Sequence, residues 1–441
     1  MDYFDFFLLL NDQTTNYLCC LAIAIIVYTV VFRKTFLSLL DPFTFPLIGS
    51  GFGLSVVLFL YNQQEIAPLC LLSYLLTQTA FWSAFFIFQS TKLFSLHLTK
   101  PFRLKDEKQF IKYFFLAGVL LDIICQLLFY ALLGFPLFMD SRLDATSGGG
   151  GIGLISRIID VCRPISAFIM LTYLIDKQAL GILRKISRYY AGYLCIALFL
   201  SGSKSSILLI TSLLFSYLYI YRHVNAGLYQ KFKKNEIKYA FLLLLFPIIV
   251  IMVQIGKSNF TSGIMQLVNR FVSSGDVYWM AYPGLAWENI DNSQPFQALF
   301  SGMLGSLRIV PWSQLPNPIG MDLIQMYYDT DSIGGPNARH NVFGLIYFGF
   351  TGSILFSFVI GALAGTIRKW FRRSSGKSIL ISALISMLYI AGCSIETDIN
   401  MFLSQIATIL LILPLLFGTA WGFYVIYALS QNYNHIARKT I

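Results

Sequence analysis

The stretch that decides the fold runs from Gln254 to Tyr347 and contains Gly-Gly-Pro-Asn-Ala-Arg-His-Asn at residues 334 to 341. It is the only long part of the chain that is not dominated by apolar runs of membrane-crossing length. Its basic side chains and histidine include Lys257, Arg270, Arg308, Arg339 and His340. The sequence therefore predicts a polar segment, 256–340, between two groups of membrane helices.

The composition of the 441-residue chain is typical of a multi-span membrane protein. Hydrophobic residues make up 56% of the chain and charged residues only 12%, whereas a soluble domain carries roughly 25% charged residues. The net charge of +11 is divided into short runs between apolar stretches, so it indicates membrane topology and argues against a nucleic-acid partner. The seven cysteines show neither a C-x-x-C pair nor metal-ligand spacing.

Apolar runs of about 20 residues, the length that crosses a bilayer, predict an all-α polytopic membrane protein. We expect about eleven transmembrane helices, at 16–32, 43–61, 67–90, 110–137, 158–176, 189–202, 206–221, 239–256, 341–366, 378–395 and 403–428. They divide the chain into helices 1–8 within 1–255, a large outer loop at 256–340, and helices 9–11 with a tail within 341–441.

The distribution of basic residues predicts the orientation of these helices. With Arg33 and Lys34 placed inside, most of the 32 Lys and Arg residues fall in inside loops and most acidic residues fall outside. An odd number of spans puts the two termini on opposite sides. We therefore expect the N-terminus and the loop 256–340 outside, and the C-terminus inside.

Two charged residues fall within or beside the apolar spans. Ser201-Gly-Ser-Lys-Ser interrupts the run 189–221, and a turn there would place Lys204 either in a buried cavity or snorkelling to the membrane surface. Asp122 is the lone acid deep in a span, which makes it a functional candidate, although no basic partner in another span is evident.

The arginines around the glycine-rich loop are expected to pair with nearby acids, namely Arg142, Arg157 and Arg163 with Asp140, Asp144 and Asp160.

The outer segment is predicted to form a layer of short helices on the membrane surface. Helical spacing of apolar residues predicts an amphipathic helix at 262–273, and turn and start signals predict helices at 295–307 and 321–328. The following loop would deliver Arg339, His340 and Asn341 to the outer mouth of the next span. Cations beside a membrane surface suit a substrate with a diphosphate head and an apolar tail, because Arg binds phosphate oxygens through paired hydrogen bonds.

The chain resembles the bacterial O-antigen polymerases (Wzy-type oligosaccharide repeat-unit polymerases) and, more distantly, the O-antigen ligases. The resemblance rests on the hydropathy outline, the Ser-Gly-Ser-Lys-Ser turn at 201–205, the late outer loop, and residues 334–352 with the His-Asn pair at 340–341. It implies a GT-C-like fold in the bacterial inner membrane, with a periplasmic N-terminus and loop and a cytoplasmic C-terminus. It also implies a glycosyltransferase that joins undecaprenyl-diphosphate-linked repeat units, together with a chain-length regulator as a partner.

The resemblance also implies roles for particular residues. Arg270 and Arg339 would clamp the diphosphate, and His340 would act as the base or as a diphosphate donor; His340 could instead serve only as a hydrogen-bonding residue at the helix start. Further residues that could bind the diphosphate, after Arg270 and Arg339, are Lys204, Lys257, Arg308 and Asn341. Arg308 could instead form an ion pair with an acid of the outer segment.

Arginines can stabilise a diphosphate leaving group without a metal, and we expect no cofactor. Asp329-Thr-Asp331 is the one Asp-x-Asp pattern in the outer segment that could bind a metal ion, and a turn explains these residues equally well. A flippase or another transporter of lipid-linked oligosaccharide is the main functional alternative, and an O-antigen ligase is the second.

Overall fold

A computed structural model of the chain describes residues 1–91, 107–139, 152–175, 181–203, 206–255, 260–328, 334–374 and 378–437. These residues contain helices and no strand. The helices are α1 (Tyr3–Asp12), α2 (Thr14–Phe32), α3 (Thr44–Asn62), α4 (Pro68–Ser90), α5 (Glu107–Leu133), α6 (Ile152–Ile175), α7 (Gly181–Leu200), α8 (Ser206–Ile220), α9 (Ala226–Lys234), α10 (Glu236–Ile255), α11 (Phe260–Val272), α12 (Asp276–Ala281), α13 (Pro295–Ser306), α14 (Ile319–Tyr327), α15 (His340–Arg372), α16 (Ile379–Gly392) and α17 (Ile399–Ala437).

Each of the eleven predicted spans coincides with a helix. Within the described residues, seven helices are long and apolar enough to cross a membrane, and the bent pair α9–α10 makes up to eight. The predicted spans at 189–202, 206–221 and 378–395 correspond to α7, α8 and α16, which are not among those seven. The all-helical character of the described residues is therefore confirmed, and seven or eight of their helices could cross a membrane by length and composition.

The chain folds into two compact units, each built from three segments that are not consecutive in the sequence. One unit contains Met1–Phe94, Gly227–Arg373 and Leu388–Gln405, and the other contains Ser95–Ala226, Ser374–Met387 and Ile406–Ile441. The outer segment belongs to the first unit, together with the helices α1 to α4. The predicted short helices of that segment are present as α11, α13 and α14.

The region predicted as the single span 341–366 doubles back on itself. Gly349 has φ 66° and ψ −174°, a backbone conformation open essentially to glycine alone. In a straight helix, His340 and Ser357 would lie about 25 Å apart; instead His340 Nδ1 lies 2.9 Å from Ser357 Oγ. Helix α15 is therefore a hairpin, with a short arm at 340–348 and a long arm at 350–372 that is about 34 Å long.

The long arm of α15 packs closely on α4. Gly361 and Gly365 lie four residues apart on the same helix face, and a Cβ atom at either would collide with a carbonyl oxygen of α4, that of Phe81 or of Phe85. Small residues at this spacing allow two membrane helices to approach until their backbones touch. The short arm, from His340 to Tyr347, is buried along its whole length.

The first helix of the chain packs against the outer segment. The ring of Phe6 stacks on Trp279 with centroids 4.0 Å apart, and the backbone nitrogen of Tyr3 donates to Tyr328 Oη at 2.9 Å. The start of the chain and the segment 256–340 therefore lie at the same end of their unit. The orientation predicted from charge, with both on the same side of the membrane, requires this arrangement.

The second unit contains a buried ion pair. Arg163 Nη2 of α6 lies 2.9 Å from Asp122 Oδ1 of α5 and also donates a hydrogen bond to Gln126 of α5. Tyr190 Oη of α7 donates a hydrogen bond to Asp122 Oδ2 at 2.8 Å. The expectation that Asp122 has no basic partner in another span is wrong, as is the expected pairing of Arg163 with an acid near the glycine-rich loop. Arg163 was misassigned because its distance along the chain from Asp122 hides their contact across two packed helices.

Candidate functional site

Arg339, His340 and Asn341 lie in a buried polar cluster of the first unit. Asn341 contacts Thr77 and Gln78, which lie near the middle of α4. The predicted position of these three residues at the outer mouth of a span is therefore wrong. The hairpin in α15 explains the difference, because its short arm inserts between other helices instead of beginning a new crossing at the surface.

Arg339 uses its guanidinium group to hold the outer segment against α3. Its Nε and Nη2 atoms donate to the carbonyl oxygen of Ser274 at 3.0 and 2.8 Å. Nη1 donates to Ser50 Oγ at 3.0 Å, and Nη2 also donates to the Gly49 carbonyl oxygen at 3.1 Å. The side chain is buried, and the residue has a positive φ of 41°, a conformation that needs support from its surroundings. Arg339 would have to break these contacts to bind a diphosphate directly.

His340 is also enclosed by protein. Its ring stacks on Phe81 with centroids 4.8 Å apart, and its Nδ1 forms the hydrogen bond to Ser357 across the hairpin. Its buried Nε2 atom has no hydrogen-bond partner among the described residues. The structure thus gives His340 a clear packing role between the two arms of α15 and α4.

Asn341 belongs to a chain of hydrogen bonds that crosses the unit. Tyr278 Oη of α12 donates to Asn341 Oδ1 at 2.8 Å, and Asn341 Nδ2 donates to Gln78 Oε1 at 3.3 Å. Gln78 Nε2 in turn donates to Glu396 Oε1 at 3.0 Å. Backbone carbonyl oxygens of the turn that carries Glu396 also accept hydrogen bonds from the backbone nitrogens of Arg339 and His340. Together, these hydrogen bonds fix the position at which the short arm of α15 begins.

Asp276 lies close enough to Arg339 and Arg270 for their positive charges to act on its carboxyl group. Asp276 begins α12 and is half-buried, whereas Arg270, in the last turn of α11, is exposed. Burial raises the pKa of the Asp276 carboxyl to about 7, against the opposing effects of a hydrogen bond from the Val277 nitrogen and the positive charges of Arg339 and Arg270. A carboxyl group with this pKa is suited to accept a proton near neutral pH.

The outer segment reaches this position by packing beside α3. A Cβ atom at Gly275 would lie 2.8 Å from Val56 and 3.3 Å from Gly53 Cα, and Gly53 is the midpoint of α3. This part of the segment therefore does not lie over the end of α3, as a surface layer would. Irregular backbone at that depth is stable where other protein covers it or where it lines a wet cavity.

Of the remaining predicted site residues, the structure describes Arg308. Arg308 is exposed, with a positive φ of 55°, and no described acid forms an ion pair with it. The pairing with an outer acid considered for Arg308 is therefore not seen among the described residues. Lys204, Lys257 and the Asp329-Thr-Asp331 pattern lie outside the described residues.

Three residues of the cluster, Asp276, Gln78 and Glu396, were not predicted from the sequence. Gln78 stands out as a polar residue within an apolar span, and that signal could have marked it. Asp276 precedes an aromatic run, and Glu396 lies between two apolar runs, so both look like ordinary loop acids. In the part of the chain that the structure describes, no group of three His, Cys, Asp or Glu residues is arranged to hold a metal ion.

An open cavity of about 710 Å³ lies at the end of the unit that holds α1, apart from the Arg339 cluster. Its lining includes the acidic side chains Asp5, Asp12 and Glu65, with Asn289 and Tyr327. Carboxylates repel a diphosphate, whereas they accept hydrogen bonds from hydroxyl groups. The cavity therefore suits a polar, uncharged group better than an anion.

Comparison of the chain with known protein families, with curated proteins and with solved structures gave no match.

Proposed function

We propose that the protein is a membrane glycosyltransferase that polymerises undecaprenyl-diphosphate-linked oligosaccharide repeat units into O-antigen or a related surface polysaccharide. The observation that carries the proposal is the presence of Asp276, a half-buried carboxyl with a pKa of about 7, within reach of the charge of the exposed Arg270. One group is suited to remove a proton and the other to face an anion. The resemblance of the chain to the Wzy-type polymerases supplies the substrate class.

An exposed apolar side of α11 fits the lipid part of such a substrate. Ile264, Met265 and Val268 of α11 are each more than a third exposed and lie within two turns of Arg270. These residues lie about 120 to 160° around the helix from Arg270, so a polyprenyl chain along them would have to bend around the end of α11 for its diphosphate to reach the guanidinium group. Arg308, and by proposal Lys204 and Lys257, would add further positive charge on the same substrate.

The proposed reaction needs one base and one site for the leaving group. Asp276 accepts the proton of an acceptor-sugar hydroxyl, whose oxygen forms a bond to the anomeric carbon of the donor glycan. The bond from that carbon to the diphosphate oxygen breaks, and the lipid diphosphate leaves with the electron pair, next to Arg270. Arg339, His340 and Asn341 then act by holding Ser274 and Tyr278, and so the position of Asp276, instead of contacting the diphosphate.

The finer topology is part of the same proposal. It has eleven crossings in a GT-C-like arrangement, with the N-terminus and the segment 256–340 in the periplasm and the C-terminus in the cytoplasm of the bacterial inner membrane. A chain-length regulator is the proposed protein partner. The contact between Phe6 and Trp279 supports the placement of the N-terminus on the same side as this segment.

A transporter of lipid-linked oligosaccharide is the second candidate, and the structure adds an observation in its favour. Helical hairpins and charged residues inside a helical bundle are typical of transporters. The chain has such a hairpin at Gly349, and buried pairs join Arg163 to Asp122 and Arg368 to Asp41. These arginines are neutralised by carboxylates, which makes them less suited to carry an anionic lipid.

The glycan pattern of cells that lack the native gene distinguishes these functions. Wild-type protein should restore long chains, whereas the Asp276→Asn and Arg270→Ala variants, present at normal levels, should leave a single repeat unit on each lipid. Uncapped lipid A core with intact lipid-linked polymer would indicate a ligase. Repeat units retained on the cytoplasmic side would indicate a flippase, and either result would overturn the proposal.

A further inference from the structure

Helix α10 is suited to face lipid along one side. Phe241 is 64% exposed and Ile249 is 50% exposed, and Leu242 and Leu244 are also exposed. Large apolar side chains left uncovered along a helix of this length indicate contact with acyl chains. The direction of α10 therefore indicates the membrane normal near this part of the unit.

Helix α9 turns away from that direction. Its axis is bent by 65° from that of the following helix. The bend is held by stacking of Phe232 on Tyr239, with centroids 5.5 Å apart, and by a hydrogen bond from Asn235 Nδ2 to the Lys231 carbonyl oxygen at 2.8 Å. When α10 crosses the bilayer, α9 lies close to the plane of the membrane surface.

The exposed face of α9 is strongly basic. Lys231, Lys233 and Lys234 are all exposed, and no described acid forms an ion pair with them. The acid next to them in the chain, Glu236, instead accepts a hydrogen bond from Ser38 Oγ at 2.6 Å. The three charges are therefore open to an external anion.

Apolar side chains flank these lysines. Leu228 is 41% exposed and Ile237 is 74% exposed, one on each side of the basic group along the chain. A basic helix with exposed apolar residues, lying along the surface, places its apolar side chains at the acyl boundary and its lysines among the headgroups. A soluble acidic protein would match the charge but would leave Ile237 and the exposed face of α10 without an apolar neighbour.

We propose that α9 and the first turn of α10 form a binding site for the headgroups of anionic phospholipids. The site is separate from the residues proposed to act on the sugar substrate, and it does not depend on that function. It would hold α9 on the leaflet and recruit anionic lipid around this end of the unit. Each lysine near such a surface favours anionic lipid by about fivefold, so the three together favour it by roughly a hundredfold.

Site-directed photocrosslinking tests this site in the full-length protein. A benzophenone amino acid replaces Leu228, and the protein is reconstituted into vesicles of equal parts phosphatidylglycerol and phosphatidylcholine. Mass spectrometry of the adducts should show phosphatidylglycerol in at least fivefold excess. The triple variant Lys231→Gln, Lys233→Gln, Lys234→Gln should bring the two adducts to equal amounts, while the corresponding triple arginine variant should keep the excess.

A probe at Ile249, on the apolar side of α10, is the matched control and should label both lipids equally in every variant. The proposal is overturned if the probe at 228 also labels both lipids equally, or if its preference survives the glutamine substitutions. It is also overturned if the same probe, irradiated in native membranes, forms its main adduct with a protein or a nucleic acid.

Discussion

At the scale of single residues, the proposed transfer reaction depends first on the protonation state of Asp276. A general base works only when it is deprotonated, and the pKa of Asp276 is raised to about 7. The transfer rate should therefore rise with pH up to about 7 and level off above it. Asp276→Asn should lower the rate by about a hundredfold or more at pH values above 7, since a positioned base contributes that much, and the difference should shrink as the pH falls below 7. A pH–rate profile of purified wild-type protein and variant measures both effects, and a flat profile for the wild type would exclude this role.

Arg339 and Arg270 differ in what their removal should change. Arg339→Ala removes four hydrogen bonds from a charged donor in a buried place, each worth about 1.5 to 3 kcal/mol. We expect it to lower the free energy of unfolding by about 3 kcal/mol or more. Arg270→Ala should leave stability unchanged, because the side chain is exposed, and shorten the glycan.

Thermal unfolding of the detergent-solubilised variants provides the comparison. Equal melting temperatures for Arg339→Ala and the wild type would show that the guanidinium contacts contribute little to the fold. Loss of glycan polymerisation without loss of stability in that variant would return Arg339 to the diphosphate clamp predicted from the sequence.

At the scale of helices and turns, the close approach of the outer segment to α3 should control the site. Gly275→Ala would place a Cβ atom 2.8 Å from Val56, so the segment would have to move away from α3. Such overpacking costs about 1 to 3 kcal/mol, and the movement should displace Asp276 and shorten the glycan. Gly192→Ala in α7 meets nothing within 4 Å and should stabilise the helix by about 0.5 to 1 kcal/mol. Matching melting temperatures and glycan lengths for the two variants would contradict this packing.

The positions of the helices were predictable because apolar runs of membrane length are a local signal. The hairpin in α15 was not, because residues on both sides of Gly349 are apolar and a single glycine in such a run is compatible with an unbroken helix. Burial of Arg339 was also hidden, since an arginine in a polar loop is normally exposed. Its hydrogen-bond partners Gly49, Ser50 and Ser274 are supplied by distant parts of the chain.

At the scale of the whole molecule, composition and hydropathy were enough to predict an all-helical chain with several helices long and apolar enough to cross a membrane. The candidate site was only partly predictable. His340 and Asn341 were singled out, but their link through Gln78 to Glu396 joins residues 318 positions apart, which no local pattern reveals. Charge distribution predicted that the N-terminus and the outer segment share a side, and the contact of Phe6 with Trp279 is consistent with this.

The most direct test of the account uses purified protein in vesicles, supplied with a single defined repeat unit on undecaprenyl diphosphate. We predict that the wild-type protein forms lipid-linked dimers and longer glycans and releases one lipid diphosphate for each bond formed, while Asp276→Asn forms almost none. Repeat units that remain unjoined but move from one leaflet to the other in the presence of wild-type protein would contradict it.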